Sequence, residues 1–111
     1  MKENKDKLYL HHILDAIKKI EKYTRDKSFD NLKASDLLYD AVLREIEIIG
    51  EASRNLSDNF KEQHADLPLH QAMGMRNQLI HGYFNIRPEI VWQTCQEDIP
   101  KLKKQIEKLI S

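Results

Sequence analysis

The run RNQLIHGYFN, from Arg76 to Asn85, places a guanidinium, a carboxamide, an imidazole and a phenol close together. Arg76 is followed by Asn77, then by His81, and Tyr83 lies just beyond Gly82. On an α-helix, residues five apart sit about 140° apart, so Arg76 and His81 do not share a narrow stripe. Asn77 and His81, four apart, do share one, and the carboxamide can orient the imidazole. Gly82 stands where a left-handed helix stop is expected, so the helix ends there. At such an end the long Arg76 side chain and the His81 ring can turn into one groove.

A helix C-terminus exposes carbonyl oxygens and repels anions. Any phosphate handled here must therefore be held by Arg76 and a protonated His81, with Arg87 as a supporting contact. Arginine suits the role because its planar fork meets two phosphate oxygens and stays charged. RNA is the ester best matched to this set. Its 2′-hydroxyl is a built-in nucleophile, so cleavage needs only a base for that proton, an acid for the leaving oxygen, and a cation for the transition state. One chain supplies one well-placed histidine; a two-fold dimer with both clusters facing one cleft would supply two. The plainer reading is that Arg, His and Gly are ordinary residues for a helix end, with Tyr83 and Phe84 packing beneath it.

The elements that must position this cluster read as helices. In DKLYLHHILDAIKKIEKY, Leu10, Ile13, Leu14, Ile17 and Ile20 recur every three or four residues, with Asp6 as the expected cap. TRDKSFDNL breaks the pattern. A long helix runs on from Ser35, burying Leu38, Ala41, Val42, Glu45, Ile49, Ala52, Ser53 and Leu56. Gly50 in its middle, with Ala52 and Ser53, suits close approach by a neighbouring helix. Ser57 caps a short helix, DNFKEQH. Pro68 opens the motif helix, whose inward face carries Leu69, Ala72, Met73, Leu79 and Ile80. Pro88 opens the last, which Pro100 must kink or restart, with Asp98 available as a cap. The expected architecture is all-α: an antiparallel bundle of four main helices plus a short fifth, in a single domain over residues 1–111.

Composition narrows the function. Lys plus Arg and Asp plus Glu both total 18, giving zero net charge, which argues against coating nucleic acid by bulk attraction. Lys101, Lys103, Lys104 and Lys108 form at most a weak RNA-attracting strip. The glycines at 50, 74 and 82 fit neither a dinucleotide fingerprint nor a phosphate loop. None of the five histidines follows a glutamate by three residues, and His-Glu-x-x-His is missing. His11 and His12, being adjacent, point about 100° apart, and His64 and His70 read as solvated surface. No metal or cofactor is expected. The lone Cys95 reads as a buried thiol, which suits a reducing cytoplasm. No signal peptide or membrane-spanning run is evident.

With these residues in view, the chain resembles the HepT-like toxins of the HEPN superfamily. Arg76, His81 and Tyr83 match that superfamily's motif of Arg, four residues, His, one residue, Tyr. Asp40–Ser53, DAVLREIEIIGEAS, is similar to the family's second helix. Gly74–Trp92 resembles its motif helix and the start of the next helix, and DIPKL (Asp98–Leu102) its closing segment. The resemblance implies a helical bundle that dimerises with the motifs lining a cleft, and a metal-independent endoribonuclease acting on cellular RNA (tRNA or mRNA). Arg76 and His81 would be catalytic and Asn77 a polar neighbour. It also implies a partner, a minimal nucleotidyltransferase antitoxin that attaches AMP to Tyr83. The chain departs from the family in lacking a tryptophan in the loop before the motif helix, HADLPLHQAMG.

Two other functions fit the same residues. One is a non-catalytic module that docks the nucleotidyltransferase; zero net charge favours it, while intact Arg76 and His81 favour the enzyme. The other is a structural helical oligomer without a partner.

Overall fold

A computed structural model of the chain describes residues 2–70, 73–74, 76–77 and 87–110, with side chains from Lys5 onward. The described residues form helices and no strands. Helix α1 spans Lys2–Thr24, α2 Phe29–Ala34, α3 Asp36–Asn55 and α4 Asp58–Gln63. In the motif region Leu69, His70, Met73, Gly74, Arg76 and Asn77 are helical. Helix α5, Pro88–Gln93, runs through a π-helical stretch, Thr94–Asp98, into α6, Ile99–Ile110. The all-α expectation is met.

The core contains the α1 stripe and most of the α3 face read from the sequence, and adds Ile46 and the α6 residues. Leu10, Ile13, Leu14, Ile17 and Ile20 of α1 are buried, as are Val42, Ile46, Ile49 and Ala52 of α3 and Leu102 and Ile106 of α6. Each of the larger aliphatic side chains contributes roughly 1.5–3 kcal/mol when fully buried. Helix α1 packs chiefly along α3, and α6 closes over α1. Leu38 and Ala41 are only half-buried, at the outer edge of the α3 stripe. Ser53 is fully buried, and its hydroxyl has no hydrogen-bond partner among the described residues.

Serines open both helices, Ser57 as the cap expected and Ser35 at the expected helix start. Ser35 Oγ accepts from the Leu38 N–H at 3.1 Å, and Ser57 Oγ from the Phe60 N–H at 3.1 Å. The polar stretch after α1 holds an unexpected short helix, α2. Its Ser28 accepts from the Asn31 N–H while Asn31 Oδ1 accepts from the Ser28 N–H, a reciprocal box that seats buried Leu32.

Two expectations need correction. Asp6 does not cap α1, which begins upstream of it; it is buried inside that helix. Its carboxylate accepts instead from the Ser57 N–H at 2.7 Å and the Ser57 hydroxyl at 2.6 Å, tying α1 to the start of α4. Of the kink or restart expected at Pro100, the restart capped by Asp98 does not occur. Ile99 is helical (φ −62°, ψ −46°), and its N–H donates to Thr94 O, five residues back. The widened turn accommodates a residue that has no N–H and whose ring crowds the carbonyl four positions earlier. The lysine strip changes too: Lys103 Nζ is engaged by both Glu21 carboxylate oxygens, at 3.0 and 3.1 Å, and joins α6 to α1.

Candidate active site

Arg76 is the motif residue whose surroundings are described in most detail, and α3 fixes it. Its NH2 lies 2.6 Å from Glu51 Oε2 in an ion pair. The arginine side chain is 16% exposed and the glutamate 47%, so the pair sits at the rim of the bundle with its cationic half turned inward. A geometry this short and partly shielded holds the guanidinium more firmly than a fully solvated pair would.

The ion pair leaves the arginine with donors that have weak partners or none among the described residues. Its NH1 reaches Asn77 Oδ1 at only 3.4 Å, a weak contact. Its Nε is buried and has no hydrogen-bond partner among the described residues. An arginine presents five N–H groups, so a further acceptor can be taken without breaking the Glu51 contact. Behind the pair, Asn55 Nδ2 donates to the other Glu51 oxygen, Oε1, at 3.4 Å. The carboxylate is thereby held from both sides, by a neighbour one turn along α3 and by the motif arginine.

Of the residues expected at the site, the structure brings Arg76 and Asn77 together. His81 and Tyr83 lie outside the described residues, as do Gly82, Phe84, Leu79, Ile80 and Ala72. Arg87 is exposed, and its fork is taken by Glu89, with Nε at 3.2 Å and NH2 at 2.9 Å from Oε2. That contact contributes to holding the Glu89 carboxyl below its ordinary range, after the larger effect of its own backbone hydrogen bond. Glu51 is the residue that sequence reading missed. It stands within the block DAVLREIEIIGEAS, but no spacing rule links a glutamate on one helix to an arginine on another.

Other reactive groups stand apart from this centre. Cys95 is buried, and burial pushes its thiol up to about 12, so at neutral pH it is an inert thiol, as the sequence suggested. No group of histidine, cysteine and carboxylate side chains among the described residues is arranged to hold a metal ion. His64 rests on Phe60, ring centroids 4.4 Å apart, and His70 is exposed. No helix among the described residues is long and apolar enough to cross a membrane.

Comparison with known proteins matches the chain to a family. A family model described as "Ribonuclease HepT-like" matches residues 13–109, a span that contains Glu51 and all three motif positions. The "Probable ribonuclease HepT" of Thermococcus cleftensis is 43% identical over 101 residues, covering 91% of this chain and 92% of that one. A protein of Caldanaerobacter subterraneus named "Putative RNase" is 37% identical over 102 residues, covering 92% and 91%. A longer protein of Methanocaldococcus jannaschii, named "Gamma-glutamylcyclotransferase and putative RNase", is 45% identical over 104 residues. There the match covers 94% of this chain but 47% of the relative, so the chain spans about half of that protein's length. No solved structure matches the chain significantly. The chain belongs to the HepT-like family of the HEPN superfamily.

Proposed function

We propose that the protein is an endoribonuclease that cleaves cellular RNA without a metal ion, through Arg76 and His81. The observation that carries this reading is the family match over residues 13–109, which includes the complete motif. The names of the relatives as ribonucleases support it, and so does the state of Arg76, which is anchored by Glu51 and whose Nε has no acceptor among the described residues.

In this mechanism His81 removes the proton from the 2′-hydroxyl, and the oxygen attacks the adjacent phosphorus. The bond to the 5′-oxygen breaks as that oxygen takes a proton from a second histidine, leaving a 2′,3′-cyclic phosphate and a 5′-hydroxyl. Arg76 faces the charge that grows on the phosphoryl oxygens, and Asn77 orients the imidazole. The second histidine is the same residue of another copy, so the working form is a homodimer of single 111-residue domains with both motifs at one cleft.

In the same reading the protein is the toxin of a pair and works in the cytoplasm. Its antitoxin is a minimal nucleotidyltransferase that attaches AMP to Tyr83, adding negative charge and bulk that exclude an RNA phosphate. A second reading, a non-catalytic module that docks the nucleotidyltransferase, draws on the zero net charge.

The test is cleavage of total RNA and of defined tRNA in excess EDTA, by protein that mass spectrometry has shown to be unmodified at Tyr83. The parent should leave 2′,3′-cyclic ends. Arg76→Ala and His81→Ala should each lose at least about 100-fold in rate, the usual loss on removing one donor to a developing oxyanion. A folded, unmodified dimer that cuts none of these RNAs would shift the assignment to the docking module.

A further inference from the structure

We infer that a groove between α1 and α3 seats one base of a single-stranded RNA, next to the phosphate held by Arg76. The inference rests on the ribonuclease reading and adds to it a place for the substrate's base. The groove is lined by Tyr9 and His12 from α1 and by Ile48, Glu51, Ala52 and Asn55 from α3. These residues fall at helical spacing on each element, three apart on α1 and three, four and seven apart on α3, so each set forms one continuous face. Glu51 belongs both to this groove and to the Arg76 ion pair, which places the groove directly beside the motif arginine.

Its size and chemistry suit a base. The groove has a volume of about 140 Å³. An apolar cavity of roughly 150 Å³ in another protein holds benzene, so on that scale one flat heterocycle fits here. The Tyr9 and His12 rings lie 6.1 Å apart with their planes at 80°, forming a corner in which a base can stack on one ring and meet the edge of the other. Ile48 and Ala52 give an apolar floor. The Asn55 carboxamide has donor and acceptor groups for a base edge, and among the described residues one weak 3.4 Å bond, to Glu51, occupies it.

Charge decides between base and phosphate. The Glu51 carboxylate lines the groove and repels an anion, whereas a neutral base meets no such penalty. The phosphate is directed to the other side of Glu51, where Arg76 supplies the positive charge. One side chain thus separates the two halves of a nucleotide.

Abasic scanning tests this directly. Single-stranded RNA oligomers with 2′-fluoro groups cannot be cleaved, because the nucleophile is gone, so binding is read apart from catalysis. An abasic site is placed at each position in turn, and affinity is measured for the parent, Tyr9→Ala, His12→Ala and the control His11→Ala, whose side chain is exposed. Thermal unfolding confirms that each variant is folded. For the parent, one position should cost between about 5-fold and about 100-fold in affinity, the range for a base stacked on aromatic side chains. That penalty should vanish in Tyr9→Ala and His12→Ala and persist in His11→Ala. A penalty equal in all four proteins, a flat scan, or no binding at all would overturn the inference. So would a flat scan together with a smaller particle mass for Tyr9→Ala and His12→Ala, since the groove would then be an interface with a second copy. Cleavage of ordinary RNA by the parent is measured alongside. A flat scan by an active enzyme sinks the groove alone, and the expected scan from an inactive protein sinks the catalytic reading alone.

Discussion

Of the carboxylates that reach out of the long helices to residues far along the chain, two differ most in what they leave unfilled. Asp6 is buried on α1, and both of its oxygens take short hydrogen bonds from Ser57. The same Ser57 hydroxyl accepts from the Phe60 N–H, so a short chain of bonds closes on itself with nothing offered to solvent. Glu51 is half-exposed on α3, and its partner Arg76 keeps a buried Nε with no acceptor among the described residues. The first contact is saturated by neutral local donors and holds elements together. The second joins opposite charges and leaves an arginine donor unpaired among the described residues. Unpaired hydrogen-bonding groups among the described residues, more than the presence of charge, distinguish the Arg76 contact from that of Asp6.

The comparison can be broken first at Asp6. Asp6→Ala should lower the unfolding free energy by about 3 kcal/mol, since it removes bonds to a charged acceptor and leaves Ser57 donors without one. Cleavage per folded molecule should not change; chemical denaturation and an activity assay on the same sample would show both. An activity loss without a stability loss would place Asp6 in the site.

At Glu51 the pattern should invert. Glu51→Gln keeps the shape, removes the charge and frees Arg76 to wander. The rate constant for cleavage should fall about tenfold, while KM for RNA should also fall because a negative charge beside the phosphate is gone. Stability should move by less than about 1 kcal/mol, as expected for a pair open to solvent on one side. A large stability loss with an unchanged rate would make Glu51 a second strut.

The smallest effect is expected at Gly74. It is helical and exposed, and an added Cβ would meet nothing within 4 Å among the described residues. Gly74→Ala should raise the unfolding free energy by about 0.5–1 kcal/mol, through helix propensity, and leave cleavage unchanged. Higher stability with lower cleavage would mean that RNA or a second copy comes close to the backbone beside Arg76.

Much of this was legible because it depends on near neighbours in sequence. The stripe Leu10–Ile20, the caps Ser35 and Ser57, the opening Pro88 and the buried Cys95 all arise from spacing within a turn or two. What was missed depends on contacts between distant segments or on a very short element. Asp6 looked like a local cap because its partner Ser57 is 51 residues away. The Ser28–Asn31 box lay in view within TRDKSFDNL, but a six-residue helix has too few turns to display a periodic face. For the site, the sequence named Arg76 and Asn77, which the structure brings together, and named His81 and Tyr83, which lie outside the described residues. Glu51 emerged only once α3 and the motif helix were placed side by side.

The π-helical stretch at Thr94–Asp98 also limits how this segment can vary in length. It takes more residues to complete a turn than an α-helix does, so it works as an in-frame insertion that sets the phase of everything after it. Val91, Cys95, Ile99, Leu102 and Ile106 all reach the core across it. Deleting one residue from the stretch while keeping the π turn would rotate α6 by about 100° relative to α5. The exposed Lys101 or the Glu21-bound Lys103 would then turn toward the core in place of Leu102. Substitutions within Thr94–Asp98 are therefore better tolerated than any change in its length, and an aligned relative one residue shorter here must shed the π turn or rebuild its closing helix.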